Sequence, residues 1–421
     1  MRDFEARVQA AYDRWAGEMP TDLDTRAFVQ ATRASALQSR SRWRPARRQR
    51  HALVFDVVPV RIVVAVAAIS LLAVVGMSIV PRMGGVAGPA SGPVVTPGPL
   101  GWRATGAMTG PRFDHSATVL HDGRVLVASG RSLDGRESLS SAELYDPQSG
   151  SWSATGDMLS PGSGDAVLLD DGRVLLVREA SAELYDPTTG SWAPAAPMTT
   201  RDHITYTVTR LVDGRVLLAG MGGAEVYDPE SDSWTRTGDM LTPRYNHVAT
   251  LLLDGRVLVA GGDEEPDSEI HTAELYDSAT GSWSATGDVG VPRSHGGVLL
   301  PDGRVLDMGA PYGGPQLGDL YDPDTGQWSP VDIDIVLSER YLGDPVLLLD
   351  GTVLFIASRE TVVYDTSDGS WARVASMVEA RVSKTPTLLI DGRVLVSGGH
   401  EPGVNDPVVY SSAELYGPTG Q

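Results

Sequence analysis

Seven tryptophans stand at nearly even spacing along this chain: Trp102, Trp152, Trp192, Trp234, Trp283, Trp328 and Trp371, at intervals of 50, 40, 42, 49, 45 and 43 residues. A recurrence on that scale marks a chain built from copies of one small unit, each unable to bury its apolar face alone. Two further markers keep step. The run Asp-Gly-Arg-Val-Leu begins at Asp122, Asp171, Asp213, Asp254, Asp302 and Asp391, with Thr352 in place of Arg in the copy at Asp350. A Tyr-Asp pair follows at Tyr145, Tyr185, Tyr227, Tyr276, Tyr321 and Tyr364, and the last copy departs as Tyr416-Gly417.

Local physics makes each unit four short strands. An Asp-Gly pair between two apolar runs predicts a tight hairpin of the primed type, with positive φ at both central residues. Pro after Tyr-Asp ends the third strand, because it cannot donate to a ladder. The register also predicts how the chain closes. Trp102 precedes the first Asp-Gly and no Trp follows Tyr416, so residues 101–106 (GWRATG) should complete the sheet formed by residues 385–417. Closure of this kind removes exposed sheet edges. The count is seven blades.

The unit resembles the kelch repeat of β-propellers. The residues that carry the resemblance are Gly-Gly after the second strand (Gly261-Gly262, Gly398-Gly399 and, loosely, Gly222-Gly223), then Tyr-Asp-Pro, then Trp, over residues 101–421. Ser129-Gly130, Arg178-Glu179, Met308-Gly309 and Ala357-Ser358 depart from the Gly-Gly pattern. The resemblance implies an all-β, seven-bladed kelch-type propeller of four-stranded blades around a central channel.

Charge divides the chain. Residues 1–61 hold 12 Arg against 7 acids, so the formal net charge of −20 leaves −25 on residues 62–421. The acidic part is not expected to bind nucleic acid, where phosphate neutralisation dominates affinity. With no Cys, disulfide and thiolate chemistry are excluded. Residues 62–80 form a 19-residue run without a charge. As a helix it would span about 28 Å, close to the hydrocarbon thickness of a bilayer. Arg40, Arg42, Arg44, Arg47, Arg48, Arg50 and Arg61 precede the run and only Arg82 follows closely. The positive-inside rule then puts the N-terminus in the cytoplasm and the propeller outside. Within residues 1–61, Phe4, Val8, Tyr12 and Trp15 fall at helical spacing. Residues 81–100, rich in Gly and Pro, read as a tether.

The loops between second and third strands, and the links between blades, share one face. The longest such loops are 131–140, 263–272, 310–318 and 400–411. Variable loops on a rigid scaffold are where function usually sits. The links add a recurring cation. Arg112, Arg244, Arg340 and Arg381 each lie ten residues before their Asp-Gly, Arg293 nine and Arg201 twelve, while Pro161 stands there in the second unit. Just beyond come His115, His247, His295 and Lys384, with Tyr206 in the third unit. One reading makes these residues a cationic mouth for a carboxylate, sulfate or acidic peptide, since guanidinium offers bidentate donors. In kelch propellers the matching Arg can face the central pocket, so the resemblance points the same way. The other reading pairs each Arg with a glutamate of the next blade, such as Glu143, Glu183, Glu274 or Glu414.

No metal site or cofactor is expected. His115 and His247 come from nearly opposite blades, and the acidic run 263–269 lacks the spacing of a calcium loop. Nor is catalysis expected. The copper radical site of the galactose oxidases, which share the seven-blade plan, needs a Tyr crosslinked to Cys. A sialidase-like reading has the Arg cluster but only one faint aspartate-box segment, at 366–371. The resulting expectation is a membrane-anchored recognition module outside the cell, binding an anionic protein segment or glycan at its loop-rich face. The alternatives are a signalling protein that couples external binding to a cytoplasmic partner, and a carbohydrate-active propeller enzyme.

Overall fold

The computed structural model describes residues 100–418, apart from 133–136, 179–180, 200–205, 265–267, 291–293, 310–316, 334, 336–342, 344 and 403–407. The helices expected within 1–61, the apolar run 62–80 and most of the tether lie outside the described residues. No helix among the described residues is long and apolar enough to cross a membrane; their regular structure is all strand.

The described strands form seven antiparallel sheets of four. Blade one consists of Ser116–Val119, Val125–Ala128, Ala142–Asp146 and Ser151–Ala154, and the pattern repeats to blade six, which begins at Val346–Leu347 and ends at Trp371–Arg373. Blade seven takes Thr385–Leu388, Val394–Ser397 and Ala413–Pro418 from the C-terminal part and Leu100–Ala104 from the N-terminal side. Trp102 sits opposite Tyr416, and Leu100 opposite Pro418. The closure read from the sequence is the one observed. First strands of successive blades contact one another around the ring, ending with Ser116–Val119 against Thr385–Leu388.

Second and third strands are near-continuously apolar because both faces of each sheet are covered by neighbouring sheets. The core is accordingly divided among the seams. Leu126 and Leu144 of blade one pack with Val174 and Leu176 of blade two. Leu395 and Leu415 of blade seven pack with Val125 and Val127 of blade one.

The tryptophan period has a matching cause. Trp152 Nε1 donates to Gly106 O, in the link arriving from blade seven, at 2.7 Å, and Trp283 repeats this on Gly238 O at 2.7 Å. Beside them Thr105 Oγ1 and Tyr145 OH lie 2.8 Å apart, and the Tyr145 and Trp152 rings are 5.0 Å between centroids. The Tyr–Trp pairs of blades one, two, four and five thus grip the link from the blade before. In blade three, Ala195-Ala196 stands where the links into blades one, two, four and five have Thr-Gly; there Tyr227 OH donates to Asp232 Oδ1 at 2.8 Å and Trp234 Nε1 has no hydrogen-bond partner among the described residues.

The Asp-Gly hairpins differ from expectation. Gly123 N donates to Leu120 O at 2.9 Å and Leu120 N to Arg124 O at 2.8 Å, which makes a three-residue loop of His121, Asp122 and Gly123. Only the glycine has positive φ (86°). This is a type I turn followed by a glycine bulge, not a two-residue primed turn. Asp122 caps it by accepting from Arg124 N at 3.0 Å and Arg124 Nε at 2.8 Å. Glycine has a second reason here. Ile390 of blade seven lies over the turn of blade one, its Cδ1 2.6 Å from where a Cβ on Gly123 would sit. The equivalent side chains lie over the next turn all around the ring, Val212 on Gly255, Leu253 on Gly303 and Leu349 on Gly392 among them.

Candidate functional site

The loop-rich face is built to one plan in blades one, four and seven. After the second strand the chain passes through two consecutive residues of positive φ: Ser129 (66°) and Gly130 (98°), Gly261 (63°) and Gly262 (93°), Gly398 (59°) and Gly399 (86°). It then bridges to the incoming link and to its own return, as in Phe113–Arg131–Ser138, Tyr245–Asp263–Glu269 and Val382–His400–Val409. Close approach requires the second glycine, because a Cβ on Gly130 would meet Phe113 O at 2.7 Å. Each of these links also carries a non-glycine residue at positive φ, Asp114 (51°), Asn246 (54°) and Ser383 (50°), and all three are exposed. Left-handed non-glycine residues are costly and persist only where the surroundings fix them.

The link arginines fasten the loops that these links meet. Arg112 Nη1 donates to Ser129 O (3.1 Å) and Ser141 O (2.9 Å), and its Nη2 to Ser141 Oγ (3.0 Å) and Glu143 Oε1 (3.3 Å). Arg244 makes the same set with Gly261 O (2.9 Å), Thr272 O (2.8 Å), Thr272 Oγ1 (3.1 Å) and Glu274 Oε1 (2.6 Å). Arg381 repeats it with Gly398 O (2.8 Å), Ser412 O (2.9 Å), Ser412 Oγ (3.0 Å) and Glu414 Oε1 (3.1 Å). Each guanidinium therefore joins the two ends of a loop, as a clasp at its neck. The glutamates also accept from link amides: Thr109 N to Glu143 at 2.8 Å, Leu241 N to Glu274 at 2.6 Å and Val378 N to Glu414 at 2.7 Å.

This corrects the cationic mouth. Arg112, Arg244 and Arg381 are 1%, 0% and 0% exposed, and their donors are directed to loop necks and glutamates rather than to the channel. Arg201, Arg293 and Arg340 lie outside the described residues. Blade two reaches the same end differently. Arg178, on the second strand, donates to Ser160 O at 2.8 Å and pairs with Glu183. The cation absent at Pro161 is supplied from the position where the repeat has glycine.

The residues after the arginines turn sideways. His115 Nε2 and Ser397 Oγ of blade seven are 3.0 Å apart, and His247 Nε2 and Thr207 Oγ1 of blade three are 3.0 Å apart. Tyr206 OH donates to Val177 O of blade two at 2.8 Å, and Lys384 Nζ to Ala357 O of blade six at 2.7 Å. All four stitch a blade to the one before it. Burial, and then the positive charge of Arg112, lowers the His115 pKa to about 3. Burial and Arg244 lower that of His247 to about 3. Both imidazoles are therefore neutral at ordinary pH. His295 falls where a bulge between Ser294 and Gly296 shifts the register. Its side chain is outside the described residues. The structure does not bring His115 and His247 together. The segment 366–371 is a turn between third and fourth strands, where Ser370 N donates to Asp368 Oδ1 at 2.9 Å.

No protein-family model and no curated protein matches the sequence. Among the solved structures that match is a fungal alcohol oxidase of the AA5 family in complex with copper, with a TM-score of 0.59 and 17% identity, over 77% of each chain. The resemblance to the galactose-oxidase-like propellers thus holds at the level of fold. It also corrects the expectation that a propeller of this kind is not an enzyme: the neighbour that shares the architecture is an oxidase, so the fold gives no ground for setting catalysis aside. The described residues do not offer a copper centre. They include no group of three or more His, Asp or Glu able to hold a metal, the chain has no Cys, and His115 and His247 are each engaged in an inter-blade bond.

Proposed function

We propose that this chain is an anchored recognition protein whose propeller holds a ligand, a protein segment or glycan, at the loop-rich face of blades one, four and seven. The observation that carries this reading is the set of three arginine clasps. Loops held at both ends on a rigid scaffold lose little entropy when a ligand arrives, and preorganisation of that kind raises affinity. The contacts are then assigned to exposed groups such as Asp114, Asn246 and Ser383, and the buried arginines become positioning residues. We also propose that residues 62–80 span a bilayer with the propeller outside. The uncharged run and the bias of arginines before it support this.

The contact assignment is tested with the triple variant Asp114→Gly, Asn246→Gly and Ser383→Gly in the full chain. Glycine suits the left-handed backbone, so the side chains are removed without a conformational penalty. Full-length protein in detergent is applied to peptide and glycan arrays. The reading expects a retained subset of probes, weakened about tenfold or more in the variant as contacts are lost, at an unchanged melting temperature. Retention identical in wild type and variant would overturn it, as would the absence of any retained probe. Protease digestion of intact cells tests the topology: the propeller should be cut from outside, and full protection would reverse the orientation.

A further inference from the structure

The opposite face carries a feature that folding does not require. The residue before each turn aspartate occupies the first central position of a type I turn, which accepts most residue types. Here it is His121, Asp170, Val212, Leu253, Pro301, Leu349 and Ile390, yet all seven turn glycines keep φ between 84° and 88°. The fold is therefore indifferent to what stands there. Blades three to seven nevertheless place apolar side chains at it. Val212, Leu253, Leu349 and Ile390 are 68%, 67%, 73% and 70% exposed, and Pro301 is exposed. Each lies over the turn of the next blade, so the five form one unbroken arc around the mouth of the channel. Isolated apolar residues on a surface are ordinary, but contiguous exposed arcs mark interaction sites.

Charge around the arc selects the occupant. The turn aspartates pair with arginines of their own turns, as Asp254 does with Arg256 at 2.6 Å. Blade six is the exception, with Thr352 in place of the arginine. Farther out on the same face stand the carboxylates that follow the repeat tyrosines, Asp146, Asp186, Asp228, Asp277, Asp322 and Asp365. The Ser149 hydroxyl and the Gln148 amide hold Asp146 below the usual carboxylate range, and Ser231 with Glu230 N does the same for Asp228. The face is thus an apolar hub inside a ring of acidic residues. A second copy would set acid against acid, and an anionic bilayer would be repelled.

We infer that the arc from Val212 to Ile390 is a docking site for a polypeptide segment with apolar side chains flanked by Lys or Arg. The inference is independent of the ligand assigned to the loop-rich face. The test uses full-length protein in detergent and a fluorescent peptide with central leucines between arginines. Its counterparts carry serines for the leucines, or glutamates for the arginines. Binding should be specific to the leucine–arginine peptide and should weaken as salt rises. It should fall about tenfold or more in Leu253→Glu with Leu349→Glu, since two buried leucines are lost from the contact. The two sites are exposed, so the melting temperature should stay constant. Equal binding of the serine–arginine peptide would reduce the effect to charge and overturn the proposal. So would undiminished binding by the double variant, capture of phosphatidylcholine vesicles in place of the peptide, or self-association abolished by the same two substitutions.

Discussion

A guanidinium buried with both terminal nitrogens engaged, by two carbonyls, a hydroxyl and a carboxylate, presents no exposed edge to a ligand. That is the position of Arg112, Arg244 and Arg381, and it converts a recurring cation from a contact into a fastener. Arg244→Ala would leave Glu274, 1% exposed, without its counter-charge. Loss of one partner of a buried pair costs about 3–5 kcal/mol, so the melting temperature of the full chain should fall clearly; an unchanged value would argue that the clasp contributes nothing. The buried histidines make a second prediction. Their folded pKa values, about 3 for His115 and His247, lie below the ordinary 6.5. The unfolded chain therefore takes up protons that the folded chain refuses as pH falls. Stability from these sites is complete above about pH 6.5 and is lost progressively toward pH 3. Denaturation midpoints followed from neutral to acid pH should show this loss, and His115→Gln with His247→Gln should flatten it. An equally steep acid limb in the double variant would assign the loss to other groups.

At the scale of the element, the Asp-Gly turns show that one dipeptide serves two hairpin designs. The sequence identifies the turn and its glycine, but whether the aspartate also adopts positive φ depends on loop length, which is set by where Leu120 and Arg124 pair. Blade two shows the complementary case, in which a defect in the repeat is a relocation. Pro161 removes the link arginine and Arg178 replaces a glycine, and the two departures cancel at Glu183. Arg178→Gly should destabilise the chain by about 3 kcal/mol or more through the unpaired glutamate. Adding Pro161→Arg should return a substantial part of that loss, because it rebuilds the arrangement of blades one, four and seven. Melting curves of the single and double variants decide this, and a double variant no more stable than Arg178→Gly would mean the two positions are not interchangeable. Both departures are visible in the sequence; their coupling is not, since it depends on a distance across the blade.

For the whole molecule, closure is the cooperative step. Trp102 lies in the strand that reaches blade seven from the other end of the domain, its ring 5.3 Å from that of Tyr416, and its Nε1 donates to Thr361 Oγ1 of blade six at 3.1 Å. Trp102→Ala should cost about 3–5 kcal/mol, as expected for a large aromatic truncation. It should also make blade seven the first site of limited proteolysis. Cleavage that begins in another blade would show that the seam is not the weak point.

Blade number, strand order within each blade and the closing strand were legible in the residues. Each rests on contacts between markers that recur at fixed spacing, such as Tyr145 with Trp152, and a repeat prints its internal contacts in every copy. The polar residues at the loop-rich face were legible only as two alternatives, of which the pairing with Glu143, Glu274 and Glu414 is the one observed. Arg112 on a channel wall and Arg112 at a loop neck require the same local sequence. Which one occurs depends on whether Ser129, Ser141 and Glu143, distant along the chain, converge on its side chain. The same holds for the apolar arc: Val212, Leu253, Pro301, Leu349 and Ile390 are unremarked singletons until the ring sets them side by side. Periodic neighbours can be read from spacing because the chain itself enforces their geometry, whereas burial and convergence arise only when all the sheets are packed.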